Sequence, residues 1–143
     1  MRTLFNTNYN HRGLDIAILI LRIGVAGMML THGYPKLQQL LAGGEIQFAD
    51  PFGLGQAATL IVAVLAEFVC SILLLLGLAT RLATIPLIIT MGTAVFIIHA
   101  ADEFGKKEMG LHYLLVYIFL LIAGAGKYSI DHAISNNIRR NRR

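Results

Sequence analysis

The chain has 143 residues, 56% of them apolar and only 14% charged, with a formal net charge of +4. A soluble domain carries about 25% charged residues, so this composition excludes a conventional soluble fold, and the length suits a single domain. The basic residues Arg139, Arg140, Arg142 and Arg143 crowd the C-terminus. Beside an apolar segment such a run reads as an anchor to anionic lipid headgroups; a nucleic-acid surface is not expected, because no globular part is left to carry one.

Residues 1–13 are polar and Asn-rich and read as a short interfacial arm. No cleavable signal is expected, because the apolar run that follows is long and contains Arg22. That run, about 14–33, is a first membrane span: roughly 20 residues at 1.5 Å each match a hydrocarbon core of about 30 Å. Gly24 and Gly27 within it read as close-packing positions between helices. Pro35 should end or bend the helix. Leu37, Leu40 and Leu41 then predict a short interfacial helix, and the Gly- and Pro-broken stretch to residue 55 predicts a lid over the mouth of the bundle.

A second span covers 56–78, with Glu67 near its centre and the lone cysteine, Cys70, as a small apolar residue. The very short link through Gly77 and Arg81 makes it an antiparallel neighbour of a third span, 82–101, which ends near His99. A charged loop leads to a fourth span, 108–126, opening with Glu108 and His112. Residues 127–143 form a basic tail in which Ile130, Ile134 and Ile138 share one face of an interfacial helix. The fold class is therefore all-α: one integral membrane domain, an antiparallel four-helix transmembrane bundle with an interfacial helix or lid in its first outer loop.

An even number of spans puts both termini on one side. That side collects eight Lys and Arg (2, 12, 81, 127, 139, 140, 142, 143) against Lys36, Lys106 and Lys107 on the other. The bias places both termini in the cytoplasm.

Counted from the ends of their spans, Arg22 lies ~12 Å and Glu67 ~16 Å deep. A charge at such depth costs about 2.5–3.5 kcal/mol or more unless it turns inward and finds a partner, so Arg22 and Glu67 are expected to pair. Gln56, Glu67 and Ser71 give the second helix a polar stripe. His32, Lys36, His99, Glu108 and His112 all fall near the outer boundary and are expected to share one mouth, Glu108 and His112 being one helical turn apart.

These pieces resemble the DoxX family of small four-span membrane proteins, also written DoxX/DoxD-like. The resemblance is carried by Leu21-Arg22, His32-Gly33 with Lys36, Glu67, Gly77-Leu-Ala-Thr-Arg81, His99, Glu108 and the run Gly124 to Asp131. It implies a bundle in a bacterial or archaeal cytoplasmic membrane. Some members are linked to thiosulfate:quinone oxidoreduction and others to oxidative-stress assemblies. His112 is not a position the family pattern supplies.

Three readings of function follow. As a quinone-linked redox subunit, the chain would use Glu67, His99 and Arg22 catalytically, with His32, Lys36, Glu108 and His112 binding the substrate. The sequence holds no flavin, haem or iron–sulfur motif, so electrons would come from a partner subunit or from a small substrate such as thiosulfate. As a non-catalytic scaffold in a larger membrane assembly, or as a homo-oligomer, the chain would use the same polar network for packing. A metal ion held by His32, His99, His112 and Glu108 is the remaining alternative.

Overall fold

The computed structural model describes residues 8 and 10–141. Arg2 and most of the polar arm, together with Arg142 and Arg143, lie outside them. Five helices and no strand occur among the described residues: α1 His11–Ala42, α2 Gln56–Leu76, α3 Thr80–Ile98, α4 Phe104–Ala123 and α5 Ile130–Asn141. α1, α2 and α3 are long and apolar enough to cross a membrane. α4 has the length, but Lys106, Lys107 and Glu108 crowd its first turns.

α1 starts three residues before the apolar run. Asn10 caps it, accepting the Gly13 amide on its side-chain oxygen at 3.1 Å and so satisfying one of the orphan donors of the first turn. At the other end the helix does not stop at Pro35. Leu37, Leu40 and Leu41 continue α1 instead of forming a separate interfacial helix, and the break comes at Gly43, whose φ of +67° leaves helical geometry. Proline is tolerated within apolar helices when neighbouring elements hold the segment in line, and Lys36, one residue on, is tied to α2 by its ion pair with Glu67. At 32 residues, α1 is ~48 Å long, well beyond the hydrocarbon thickness.

Residues 43–55 fold back on the ends of α1 and α2. Asp50 accepts from the amides of Leu54 (3.0 Å) and Gly55 (2.8 Å) and from the Thr59 hydroxyl (2.9 Å), closing the entry to α2. Gln39 donates to the Gln47 carbonyl, and Phe48 donates its amide to the side chain of Gln56. The Phe48 ring lies 5.7 Å from the Lys36 ammonium, so this loop covers Lys36.

α2 ends in a Schellman turn: Leu78 N donates to Leu73 O at 2.9 Å, with Gly77 in the left-handed region. Ala79 is left-handed too, at φ +49°, an unfavourable state for a residue with a Cβ. Asp131 holds it there, accepting from the amides of Ala79 (2.7 Å) and Thr80 (2.9 Å) while its own amide donates to Gly77 O. The start of α5 is thereby clamped to the α2–α3 link. The face of α5 bearing Ile130, Ile134 and Ile138 stays exposed.

α1 packs on α2 and α4, and α3 packs on the same two helices from the other side. The shared core holds Val25, Ala26 and Met29 of α1, Leu74 of α2, Leu87 and Met91 of α3, and Tyr117 and Leu120 of α4. The Asp15–Lys127 ion pair (3.5 Å) brings the start of α1 and the end of α4 together beside the α2–α3 link. The molecule thus has a termini end and a loop end.

Candidate functional site

Glu67 sits where α2 departs from regular α geometry. Residues Leu65–Val69 form a π turn, a local widening that recurs at functional positions. Gly33 of α1 packs directly on this turn. A Cβ at Gly33 would lie 2.7 Å from the Glu67 carbonyl carbon and 2.8 Å from Phe68 N, so any side chain would force the helices apart. Gly33 is the close-packing glycine of α1; Gly24 and Gly27, expected in that role, have open space where a Cβ would be.

The Glu67 carboxylate is 2% exposed. One oxygen accepts from the Lys36 ammonium, and the other has no hydrogen-bond partner among the described residues. Glu67 therefore pairs with Lys36 and not with Arg22. Arg22 lies eleven residues from Gly33 along α1, ~16 Å nearer the termini end. There its guanidinium donates to the carbonyls of Ala125 (2.7 Å) and Tyr128 (2.8 Å). A side chain on Gly77 would strike it, and Asp131 adds a favourable charge. α1 runs past the apolar stretch at both ends, most at the loop end, and this sets Arg22 and Glu67 at different depths and separates the expected pair.

Next to Gly33, the His32 ring stands edge-on to Tyr113 of α4, with centroids 5.9 Å apart and planes at 89°. Tyr113 stacks on Tyr117 at 6.0 Å. Tyr117 is fully buried, and its hydroxyl has no partner; Ser71 of α2 is in the same condition. The charge of Glu67 reaches both phenols. Gln56, expected on the same stripe as Glu67 and Ser71, is taken up by the loop instead.

His32 also opens onto a groove of about 750 Å³ between α1 and α4. Its long wall is apolar, including Ile20, Val25 and Met28, and His32, Glu108 and His112 gather towards the loop end. His112 Nδ1 lies 2.8 Å from the Glu108 carbonyl oxygen. A carbonyl only accepts, so Nδ1 carries the proton and Nε2 remains available.

His99 is not part of this group. It ends α3 and donates through Nδ1 to Asp102 at 2.7 Å. That bond, helped by Lys106 at 3.7 Å, holds the Asp102 carboxyl below its ordinary range. Of the proposed metal ligands, the groove collects His32, Glu108 and His112 without His99, and among the described residues no three His, Cys, Asp or Glu side chains are placed to hold a metal ion. The metal reading is therefore set aside. Lys36 is committed to Glu67 and does not join the histidines.

Tyr113 and Tyr117 were missed by sequence reasoning, although two tyrosines one turn apart in an apolar span were a usable signal. Asp131 entered only through the family resemblance. Its role as a cap on α3 depends on a contact across 52 residues that no local pattern announces.

Long apolar helices, a buried charge pair and a sideways-opening groove define a helical membrane protein with several spans. The DoxX family model matches residues 17–100, more than half of the chain. The chain belongs to the DoxX family. It is 34% identical to an uncharacterized protein of Haemophilus influenzae over 80% of this chain and 88% of that one. It is 29% identical to the inner membrane protein YphA of Escherichia coli (81% and 89% covered) and 27% identical to the putative oxidoreductase CatD of Bacillus subtilis (85% and 89%). No solved structure matches the chain.

Proposed function

We propose that this protein is a four-span bundle, with both termini in the cytoplasm, that binds a quinone in the α1–α4 groove as a subunit of a membrane redox system. The observation that carries this reading is the groove itself. Its volume of about 750 Å³ falls within the roughly 300–1,000 Å³ of small-molecule sites. An apolar wall suits a ring and an isoprenoid tail, and polar groups at one end suit carbonyl oxygens. Because the groove opens between two helices, a lipid-soluble molecule can enter sideways.

In the groove, protonated His32 or His112 donates to a quinone carbonyl; neutral His112 Nε2 accepts from a quinol hydroxyl, as does Glu108. These groups bind and orient the head and stabilise the oxyanion formed on reduction. Electrons come from a partner subunit or from a small reduced substrate such as thiosulfate. The name of the Bacillus relative, a putative oxidoreductase, points the same way.

The chain has no tryptophan and five tyrosines, Tyr113 at the groove among them, so tyrosine emission includes a reporter of the groove. Titrating the purified protein in liposomes with a short-tailed ubiquinone should quench part of that emission saturably. The Glu108→Ala/His112→Ala variant should need about tenfold more quinone, the equivalent of losing one good hydrogen bond. Quenching that rises linearly, and equally in protein and variant, would mean simple partition into lipid and would end this reading.

A further inference from the structure

Tyr117 Oη, Ser71 Oγ and the free carboxylate oxygen of Glu67 are all buried, and none has a hydrogen-bond partner among the described residues. More than nine-tenths of buried polar groups are hydrogen-bonded, so several orphans in one region call for a common explanation. Their positions supply it. Ser71 lies four residues after Glu67 on α2, and Tyr117 four residues after Tyr113 on α4; both helices run from the loop end towards the termini end. Ser71 and Tyr117 therefore occupy one layer, a turn below Glu67 and Tyr113. The spacing between phenols and carboxylate exceeds a direct hydrogen bond, which is the situation that internal water bridges.

From the other side, Tyr113 reaches the groove through its edge contact with His32. Ring contacts thus join Tyr117, Tyr113 and His32 from the core to the groove, with Glu67 and Ser71 across the core on α2. The groups facing them come from several elements. α1 contributes Lys36 and His32, the loop lays Phe48 over Lys36, α4 sets Glu108 and His112 in the groove with His32, and α2 packs Cys70 against the same core. α3 presents Leu87, Met91 and Val95 to the core, and none of these titrates.

We propose that Tyr117 and Tyr113, bridged by internal water, carry protons between the free oxygen of Glu67 and the imidazole of His32, making Glu67 a buried proton store for the groove. The purpose of such a store rests on the quinone reading; the route itself does not. The transfer involves no change of oxidation state. Glu67 gives up its carboxyl proton to water, and the proton passes to Tyr117 Oη as the phenolic proton moves on. Through Tyr113 one proton arrives on His32. Glu67 is left as a carboxylate neutralised by the Lys36 ammonium, and His32 becomes imidazolium.

The test is infrared spectroscopy of the full chain reconstituted in liposomes. Acidification should produce a protonated-carboxyl band that is missing in Glu67→Gln. On transfer to heavy water, this band should shift quickly in the unaltered protein. In Tyr117→Phe and Tyr113→Phe the exchange should be slowed about a hundredfold, the scale on which a positioned proton donor acts. Tyr34→Phe, on the exposed side of α1, should exchange at the original rate. Because Phe keeps the ring, packing should survive; should Tyr117→Phe not fold, Tyr113→Phe carries the test. Unaltered exchange in a folded variant, or a Glu67 band that never appears, overturns the proposal. Exchange that depends on Tyr117 in a protein that binds no quinone would leave the relay standing and remove only its ligand.

Discussion

The molecule buries charge twice, and the two places differ in what they offer it. At the termini end, both terminal nitrogens of Arg22 go to backbone carbonyls, and Asp131 takes backbone amides. Such partners cannot titrate or move, and the result is a joint fastening the end of α4 and the start of α5 to α1 and the α2–α3 link. Around Glu67 the partner is a side chain, Lys36, and the nearby polar groups, two phenols and a hydroxyl, are side chains as well. Backbone partners fix a charge, whereas titratable partners let it come and go. The first arrangement is what a fold needs, and the second is what proton chemistry needs.

The largest effect should come from Lys36→Met, which strands a buried carboxylate. Removing one member of a buried pair costs about 3–5 kcal/mol, whereas replacing both members by neutral groups is close to neutral. The double variant Lys36→Met/Glu67→Gln should therefore recover most of the loss in denaturant titrations in detergent. If the double variant were as unstable as the single one, the pair would be fixing the fold in the manner of Arg22, and the contrast between the two regions would collapse.

Arg22→Met should come next, at about 3 kcal/mol, since two buried carbonyls lose charged donors worth about 1.5–3 kcal/mol each and the methionine recovers some packing. No compensating change at Glu67 should rescue it, because the two sites are independent and their effects should add. A rescue by Glu67→Gln would restore the direct Arg22–Glu67 pairing that the sequence suggests.

That mistaken pairing shows what the sequence makes legible. The helical character of the four apolar stretches is evident because about 20 apolar residues in a row leave the backbone no other way to satisfy its hydrogen bonds. Which residues must turn inward is evident too: Arg22 and Glu67 are each 2% exposed. The register between helices is not evident. It depends on Gly33 meeting the backbone of Glu67 and on Asp131 gripping Ala79, contacts between residues far apart in the chain. Arg22 and Lys36 are fourteen residues apart on α1, ~21 Å, and only this register decides which of the two Glu67 meets. The grouping of His32, Glu108 and His112 was legible because all lie at one end of their helices. His99 shares that end but faces its own turn, where Asp102 captures it.

The smallest effect concerns the loop that covers Lys36. Asp50 is held below its ordinary carboxylate range, first by the Gly55 amide and then by Thr59 and the Leu54 amide. A carboxylate whose folded value is depressed contributes order that is complete above its unfolded value and is lost as pH falls through the folded one. Protection of the Leu54 and Gly55 amides against hydrogen exchange, taken relative to the intrinsic rate at each pH, should therefore fall on acidification below the usual carboxylate range. Asp50→Asn should show the lower protection at every pH, with no pH dependence of protection at these two amides. Because Phe48 of this loop lies over Lys36, the same loosening, produced by Asp50→Asn at neutral or mildly alkaline pH, should expose the lysine to amine-reactive reagents while leaving the Arg22 joint undisturbed. If the joint loosened first, at a higher pH than the loop, the termini end would be the titrating region and the contrast between the two would run the other way.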